Sequence, residues 1–296
     1  GGIMEHIEEA GIHSGDSACV IPTFSLSEKA LQKIREATKA MAAELQVRGL
    51  MNVQFAVKND EVYVLEVNPR ASRTIPFVSK AIGVPLAKLA AKIMVGRKLN
   101  ELGFTQEILP KHVSVKEAVF PFIKFPGVDI SLGPEMKSTG EVMGIDSNLG
   151  MAYAKAQMSA LPPLPKQGNV FISVKDTDKP VAIEIARAFE KMGFQIFATR
   201  GTASSLAAAG ISAQSVDRIG EGRPHVLDLI KNNQIHFILN TPSGKKPRED
   251  EVKIRSAAIA HRIPVMTTLR GALASIEAIR ELQRKPLEVR CLQEYH

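Results

Sequence analysis

The stretch that decides the fold is Val64-Leu-Glu-Val-Asn-Pro-Arg-Ala-Ser-Arg73. Apolar and polar residues alternate in its first part, which predicts a strand with Glu66 and Asn68 on one face. A second apolar run, Val53–Val57, precedes it across a short polar turn. Two such runs around a turn predict a hairpin. Gln54 on the partner strand then comes close to the face that carries Glu66 and Asn68.

One carboxylate and two amides that meet on this face offer the oxygen ligands that Mg²⁺ and Mn²⁺ prefer. Arg70 and Arg73 follow at once. Guanidinium groups beside such a cluster suit a phosphoryl group. The same pattern also fits a solvated strand with a surface glutamate. Spacing alone therefore leaves both the metal site and the ordinary surface strand open.

The length of 296 residues predicts two domains. The stretch Leu161-Pro-Pro-Leu-Pro-Lys-Gln-Gly168 holds three prolines in four positions, which forbid helix and favour a spacer. We therefore predict domains at 1–160 and 168–296, joined by a linker at 161–167. No apolar run approaches the ~20 residues of a membrane span. Two distant cysteines, Cys19 and Cys291, and the lack of a secretory leader favour a reducing cytoplasm.

The net charge of +7 is unevenly placed. Residues 1–160 hold 18 basic and 17 acidic residues, whereas the rest of the chain holds 20 and 14. The excess is spread out and aromatic residues make up only 5%, so we expect no nucleic-acid partner. A small anionic ligand fits the second half better.

The first half predicts a mixed α+β arrangement. Helices are predicted at Leu26–Leu45, with Ser27 as the N-cap, and at Ser79–Val95. Further strands are predicted near Val113–Phe120 and Gly140–Met143.

The second half alternates strand and helix, which predicts a parallel α/β sheet of the Rossmann type with ligands at the carboxyl ends of its strands. The predicted strands are Asn169–Val174, Gln195–Thr199, His236–Asn240 and Pro264–Thr267. The predicted helices are Pro180–Met192, Ala203–Ala209, Val226–Asn232, Glu249–His261 and Gly271–Leu282.

The junction Phe197-Ala-Thr-Arg-Gly-Thr-Ala203 joins a strand end to a helix start. Thr199 and Thr202 bring hydroxyls there, and free N–H groups at a helix N-terminus bind anions. The stretch Asn240-Thr-Pro-Ser-Gly-Lys-Lys246 follows another strand at the same predicted edge. Basic residues that add charge there are Lys179, Arg218 and Arg223. Ordinary turn chemistry with surface lysines remains the alternative.

Four motifs in order resemble the large subunit family of carbamoyl phosphate synthetase. They are His13-Ser-Gly-Asp-Ser17, Glu66-Val-Asn-Pro-Arg-Ala-Ser-Arg73, Lys124-Phe-Pro-Gly127 and Gly133-Pro-Glu-Met-Lys-Ser-Thr-Gly-Glu-Val-Met-Gly144. The resemblance is to the second, carbamate-phosphorylating half and runs from Gly2 to about Leu282. It implies a partial ATP-grasp domain with a mainly antiparallel sheet, followed by a methylglyoxal-synthase-like parallel α/β domain.

The resemblance also implies roles for single residues. Those that would hold Mg²⁺ or Mn²⁺ are Gln54, Glu66 and Asn68. Those that would lie near ATP, the substrate, are His13, Ser14, Gln54 and Glu66. Arg70 and Arg73 would contact the transferred phosphoryl group, and K⁺ is a further ion that the family admits.

In the second half, the resemblance implies an allosteric nucleotide site for UMP as inhibitor and IMP as activator. Its residues would be Ser173, Lys179, Thr199, Thr202, Arg218 and Asn240. Arg218 replaces a lysine and Pro242 a threonine, which affects selectivity. An ornithine site would use Glu8, Asp16, Glu117 and Thr267. Val265 replaces a phenol there, so we expect a weaker ornithine response or none.

For the whole protein, the resemblance implies an ATP-dependent ligase that forms carbamoyl phosphate from bicarbonate, glutamine-derived ammonia and two ATP. A glutaminase small subunit and a homo-oligomer are the implied partners. Since no glycine-rich loop precedes His13, we expect a C-terminal piece that binds effectors but turns over no ATP. A stand-alone nucleotide-binding regulatory module is the alternative. A lyase of the methylglyoxal synthase type, using Asp176, Asp178 or Asp217, is a third hypothesis.

Overall fold

The computed structural model describes residues 1–160, 162–241 and 249–296. The elements of the first half are β1 (Glu5–His6), β2 (Cys19–Ile21), α1 (Glu28–Glu44), β3 (Asn52–Lys58), β4 (Glu61–Asn68), α2 (Thr74–Ile82), α3 (Leu86–Met94), β5 (Val113–Val119), β6 (Gly140–Asp146) and α4 (Leu149–Ala160). Those of the second half are β7 (Asn169–Ser173), α5 (Lys179–Lys191), β8 (Gln195–Thr199), α6 (Arg200–Ala208), β9 (Gln214–Val216), α7 (Val226–Lys231), β10 (Phe237–Asn240), α8 (Glu249–Ala260), β11 (Val265–Met266) and α9 (Leu269–Arg284). Within these described ranges, no helix has the length and apolarity needed to cross a membrane.

The first half contains an antiparallel sheet and a separate hairpin. The sheet has the strand order β1-β2-β5-β6, and β3 pairs only with β4 among the described strands. This confirms the predicted α+β class and its mainly antiparallel pairing. The predicted hairpin is confirmed, whereas β1 and β2 are too short for their pattern to have been recognised.

Helix boundaries in the first half follow the local sequence. Ser27 caps α1, because its side chain accepts a hydrogen bond from the Ala30 N–H. The single helix predicted at Ser79–Val95 is wrong, since the chain forms α2 and α3 instead. Gly83, at φ 72°, ends α2 in the left-handed conformation, and Pro85 is the N-cap residue that precedes α3.

The second half is a five-stranded parallel sheet with the order β11-β10-β7-β8-β9. The predicted parallel α/β class is confirmed, and every predicted helix and strand forms within three residues of its expected ends, while β9 was not predicted. Side chains alternate along β7, so Phe171 joins the core under α7 and α8 while Ile172 joins the core under α5 and α9. Helices therefore cover both faces of the sheet.

One apolar core runs through both halves. α4 of the first half packs on α9 of the second, and Met151 and Ile276 belong to the same buried cluster. A side chain at Gly150 would meet the Glu277 carbonyl at 2.7 Å, so the two helices approach each other at a glycine. The division at 161–167 remains a prediction, and Leu161 lies outside the described residues.

Candidate functional site

The hairpin β3–β4 positions the three oxygen-bearing side chains of the predicted metal site. Its turn consists of Asn59 and Asp60, both with positive φ (54° and 61°), a conformation that Asn and Asp tolerate. The register places Gln54 directly opposite Glu66. Asn68 lies two residues along the same strand as Glu66, and its amide donates a hydrogen bond to the Glu66 carboxylate.

The donor set of this face fits a hard divalent cation. It offers one carboxylate and two amide oxygens, and Glu66 is solvent-exposed while Gln54 and Asn68 are half-buried. In the described part of the chain, no three His, Cys, Asp or Glu residues come close enough to hold a metal by themselves. A single carboxylate on an open face suits an ion that takes its remaining ligands from phosphate oxygens and water.

The two predicted arginines lie in different surroundings. Arg70 is exposed and donates from Nη1 to the Ala71 carbonyl at 3.1 Å. Arg73 donates from Nη2 to the Ser138 hydroxyl at 2.7 Å and from Nη1 to the Ser138 carbonyl at 3.4 Å. The Arg73 guanidinium is therefore held in place by a residue 65 positions away.

The loop at His13 meets the Arg73 side chain. A Cβ built at Gly15 would lie 3.0 Å from Arg73 Nη2, 3.0 Å from Met136 Sδ and 3.1 Å from His13 Nδ1. The Gly15 N–H donates to His13 Nδ1 at 3.0 Å, and the Ser14 carbonyl accepts from buried Lys116 at 3.2 Å. Three motifs that are distant in sequence thus converge on one point, with a glycine where they touch.

Asp16 fixes this loop to the 137–138 backbone. Its Oδ2 accepts from the Lys137 N–H at 2.8 Å, and its Oδ1 accepts from the Ser138 N–H at 2.9 Å. The carboxylate is buried. Both of its oxygens therefore have backbone partners, although the resemblance implies an ornithine contact for this residue.

Glu8 and Glu117, which the resemblance also assigns to ornithine, are two carboxyl groups that interact through their charges and are here called the acidic pair. Desolvation raises the pKa of both carboxyls, the Glu8 charge raises the pKa of Glu117 further, and the Lys116 charge opposes both shifts. Glu117 Oε2 accepts from Gln157 at 2.7 Å, and Glu8 Oε2 accepts from the Ala18 N–H at 2.7 Å.

The start of α9 carries a positive charge that acts on Glu8 of this pair. Arg270 in its first turn lowers the pKa of Glu8 by its charge. Thr267, the fourth residue implied for ornithine, lies just before α9, and Val265 lies on β11.

The predicted nucleotide site lies at the carboxyl edge of the parallel sheet. Ser173 ends β7, Thr199 ends β8 and Asn240 ends β10, and these three strands are neighbours. The Asn240 amide donates to the Ser173 carbonyl at 3.2 Å. The Thr199 and Thr202 hydroxyls lie 3.3 Å apart.

The N-terminus of α6 and a lysine meet at this edge. The helix begins at Arg200 rather than at the predicted Ala203, so Thr202 lies in its first turn. A Cβ at Gly201 would lie 3.7 Å from Lys179 Nζ, which places an ammonium group beside the free N–H groups of the helix. This combination of a cation and a helix N-terminus is suited to a phosphate.

Arg218 lies two residues beyond the end of β9, and its side chain is exposed. Asp176 and Asp217, which the lyase hypothesis invokes, pair with Lys179 at 2.8 Å and with Arg200 at 2.7 Å. Asp178 lies 3.7 Å from Lys175. The Pro242 substitution lies outside the described residues, as does the rest of the stretch to Lys246.

Sequence reasoning missed a group of residues that connects the two candidate sites. Arg255 on α8 is completely buried and bonds to Asn240 and to Asp129. Lys137 lies in the Gly133–Gly144 motif, but its hydrogen bond to the Asp129 carbonyl depends on the tertiary fold. Nothing in the local pattern distinguishes these side chains from ordinary surface charges.

Two family models match the chain. The "Carbamoyl-phosphate synthase L chain, ATP binding domain" matches residues 2–102, and the "MGS-like domain" matches residues 181–267. A solved biotin carboxylase domain of a single-chain bacterial carboxylase is 16% identical, covers 49% of this chain and 39% of its own, and has a TM-score of 0.40. So distant a match supports no functional conclusion.

Curated relatives align over the entire chain. The carbamoyl phosphate synthase large chain (another name for the synthetase large subunit) of Nostoc sp. is 55% identical and that of Archaeoglobus fulgidus is 55% identical, each over all of this chain. The chain spans only 27% and 28% of their lengths. The Aquifex aeolicus relative, named as the C-terminal section of the large chain, is 51% identical over all of this chain and 59% of its own length. The chain therefore belongs to the carbamoyl phosphate synthase large-chain family and corresponds to its C-terminal part, in which an ATP-grasp region precedes an MGS-like domain.

Proposed function

We propose that this chain supplies the metal-binding and phosphoryl-contacting side of the site at which a carbamoyl phosphate synthase phosphorylates carbamate. The observation that carries the proposal is the hairpin register, which sets Gln54 opposite Glu66 with Asn68 beside it. In this reaction a carbamate oxygen bonds to the γ-phosphorus of ATP and the bond from that phosphorus to the bridging oxygen breaks. The products are carbamoyl phosphate and ADP.

The residues of the site would stabilise the negative charge of the ATP phosphates and of the transferred phosphoryl group in different ways. Gln54, Glu66 and Asn68 would hold Mg²⁺ or Mn²⁺, which neutralises charge on the phosphate oxygens when it is bound. Arg73, held by Ser138, presents a preorganised guanidinium to the phosphoryl group. Exposed Arg70, which bonds to the neighbouring Ala71 carbonyl, would add a second positive charge. His13 and Ser14 would line the nucleotide side.

The remaining assignments follow from membership of the family. ATP and carbamate would be the substrates, a glutaminase small subunit would be the partner, and the whole enzyme would be a cytoplasmic homo-oligomer. K⁺ would serve as an additional ion. A stand-alone regulatory module is not favoured, because matches to an ATP-binding domain and to an MGS-like domain lie in one chain.

The experiment uses the full-length large chain assembled with its small subunit. Phosphoryl transfer at this site is measured in reverse, as ATP formed from ADP and carbamoyl phosphate. We expect Glu66→Gln to lower the rate by about 10²–10³, the size seen when a group that stabilises transition-state charge is lost. The matched control is Glu61→Gln on the same strand, an exposed carboxylate paired with Lys33 at 3.0 Å. Equal rates for the two variants would reject the assignment.

We also propose that the carboxyl edge of the parallel sheet binds a nucleoside monophosphate. The closeness of Lys179 Nζ to Gly201 at the start of α6 supports a phosphate there, with Thr199 and Thr202 as hydroxyl partners. Ser173, Asn240 and Arg218 would contact the rest of the nucleotide. By family resemblance, UMP would inhibit and IMP would activate.

Calorimetric titration of the 296-residue chain with UMP and with IMP tests this assignment. Thr202→Ala is expected to weaken binding about tenfold, the effect of losing one good hydrogen bond to a charged phosphate. Ser205→Ala on the same helix is the control, since that hydroxyl bonds to the Gly201 carbonyl of its own helix. Unchanged affinity in Thr199→Ala and in Thr202→Ala would place the nucleotide elsewhere.

A further inference from the structure

One buried guanidinium joins the second half of the molecule to the first. Arg255 on α8 has no exposed surface. Its Nε donates to Asn240 Oδ1 at 2.8 Å, and its Nη1 donates to Asp129 Oδ1 at 3.0 Å and to the Ser131 hydroxyl. Its Nη2 lies 3.4 Å from Glu251 Oε2. A single side chain therefore holds both the end of β10 and a segment of the first half.

The segment held in this way, residues 127–138, is called here the bridging segment. Lys137 joins the two ends of this segment, because its Nζ donates to the Asp129 carbonyl at 3.2 Å and to the Ser131 carbonyl at 2.7 Å. A second contact with α8 comes from the Gly127 N–H, which donates to the Ser256 hydroxyl at 3.0 Å. The segment is thus attached to the second half at two places and is internally cross-linked.

The far end of the bridging segment reaches the candidate phosphoryl site. The N–H groups of Lys137 and Ser138 donate to the buried Asp16 carboxylate. The Ser138 hydroxyl accepts from Arg73 and donates to the Gly15 carbonyl at 3.0 Å. The His13 N–H donates to the Gly133 carbonyl at 2.8 Å. Any displacement of the segment therefore moves the partners of Arg73 and of the His13 loop.

At the near end, Asn240 connects Arg255 to the nucleotide edge. Its side-chain oxygen accepts from Arg255, and its side-chain nitrogen donates to the Ser173 carbonyl. A ligand that bonds to the Asn240 amide has to compete with Arg255 for the amide oxygen. If Arg255 shifts in response, its partners Asp129 and Ser131 shift with it. Because a buried cation must stay paired, these contacts change together.

We propose that Arg255 is a positioning residue that couples nucleotide binding at the edge of the parallel sheet to Arg73, through the bridging segment. The proposal rests on the nucleotide site proposed above and adds the route by which that site acts. The ligand class is a phosphorylated nucleoside. Arginine is required because its planar fork reaches Asn240, Asp129 and Ser131 at once, which a lysine ammonium cannot do.

The test measures amide hydrogen exchange of the 296-residue chain with and without saturating UMP, and in parallel with IMP. The informative amides are those of Lys137 and Ser138, which donate to Asp16 and lie away from the nucleotide edge in sequence. In the unmodified chain, UMP is expected to change their exchange rates about fivefold or more, the lower end of common coupling between sites. In Arg255→Met, UMP is expected to bind with its affinity kept within about tenfold while this response disappears.

Lys253→Met is the matched control on the same helix, because Lys253 lies on the surface and pairs with Glu249 at 3.6 Å. It should leave both affinity and response unchanged. Asp129→Ala removes the acceptor of Arg255 Nη1 in the first half and decides the outcome if Arg255→Met fails to fold. A purely structural role would raise exchange throughout the sheet and leave the UMP response at 137–138 in place.

The outcomes separate the two proposals. If the unmodified chain binds neither UMP nor IMP, the nucleotide site is refuted and the coupling with it. If it binds UMP without a response at 137–138, or if Arg255→Met and Asp129→Ala keep that response, only the role of Arg255 is refuted. Loss of the response with retained binding in either variant, beside an unchanged Lys253→Met control, supports the coupling.

Discussion

The hairpin and the parallel sheet hold their candidate side chains in opposite ways. In β4, Tyr63, Val64 and Leu65 are 54%, 50% and 51% exposed, whereas Phe171 and Ile172 in β7 are 0% exposed. The hairpin depends on its own turn and register, and the sheet depends on a covered core. The comparison teaches that the candidate metal site is determined by the pairing of two neighbouring strands. The candidate nucleotide site is instead determined by core packing away from the site itself.

The largest expected effect tests this contrast directly. Phe171→Ala removes a fully buried ring from the middle of β7 and should lower the free energy of unfolding by about 3–5 kcal/mol. Leu65→Ala on the exposed hairpin should change it by less than about 0.5 kcal/mol. Urea unfolding followed by circular dichroism measures both. Similar losses for the two variants would contradict the division into a locally formed and a core-dependent region.

The contact between the halves gives the next largest effect. Gly150→Ala forces a methyl group against the Glu277 carbonyl, and overpacking of this kind should cost about 1–3 kcal/mol of unfolding free energy. The matched control is Gly133→Ala, where a Cβ has no neighbour within 4 Å. Thermal unfolding of both variants shows the difference. A stable Gly150→Ala variant would mean that α4 and α9 can separate without cost.

The acidic pair predicts a pH dependence. Its pKa values are raised, to about 7 for Glu8 and about 8 for Glu117, so the folded chain binds more protons than the unfolded chain. Stability from this pair is therefore present in acid and is lost as the pH rises through these values. Glu117→Gln should make the loss of unfolding free energy with rising pH smaller by roughly 1–5 kcal/mol.

Urea midpoints measured from about pH 5 to about pH 8, the range set by the raised pKa values, test this expectation. The control is Glu135→Gln, an exposed carboxylate of the first half. A slope that is unchanged in Glu117→Gln would show that the pair does not hold protons in the folded chain.

The smallest effects come from two matched helix caps. Ser27 accepts from the Ala30 N–H at 3.1 Å in the first half, and Thr268 accepts from the Gly271 N–H at 3.1 Å in the second. Replacement of either by alanine should cost about 1 kcal/mol. Equal losses in chemical unfolding would show that both caps contribute to the same cooperative unit. A loss seen only for Thr268→Ala would assign α1 to a region that unfolds separately.

Local chemistry explains which parts of the fold were predictable. The hairpin turn was visible because Asn59 and Asp60 favour the conformation that the turn needs. The helix α4 was missed because most of its residues are buried on several sides, which removes the polar face that marks a helix. The break at Gly83 and Pro85 was present in the sequence, but a continuous apolar pattern concealed it.

In the candidate sites too, contacts between neighbouring strands could be predicted, whereas contacts between distant parts of the chain could not. The grouping of Gln54, Glu66 and Asn68 could be predicted, since strand alternation and one turn determine it. The contact of Arg73 with Ser138 and that of Arg255 with Asp129 span 65 and 126 positions. No local pattern encodes such distances, so these contacts needed the three-dimensional structure.

The shared core of α4 and α9 has a practical consequence for anyone who wishes to dissect the molecule. Division of the chain at the proline-rich stretch would expose apolar surface on each piece. The newly exposed side chains would include Met151 and Ala154 on one piece and Ile276 and Ile279 on the other. Such pieces would aggregate in solution unless polar substitutions were introduced on the exposed apolar surface.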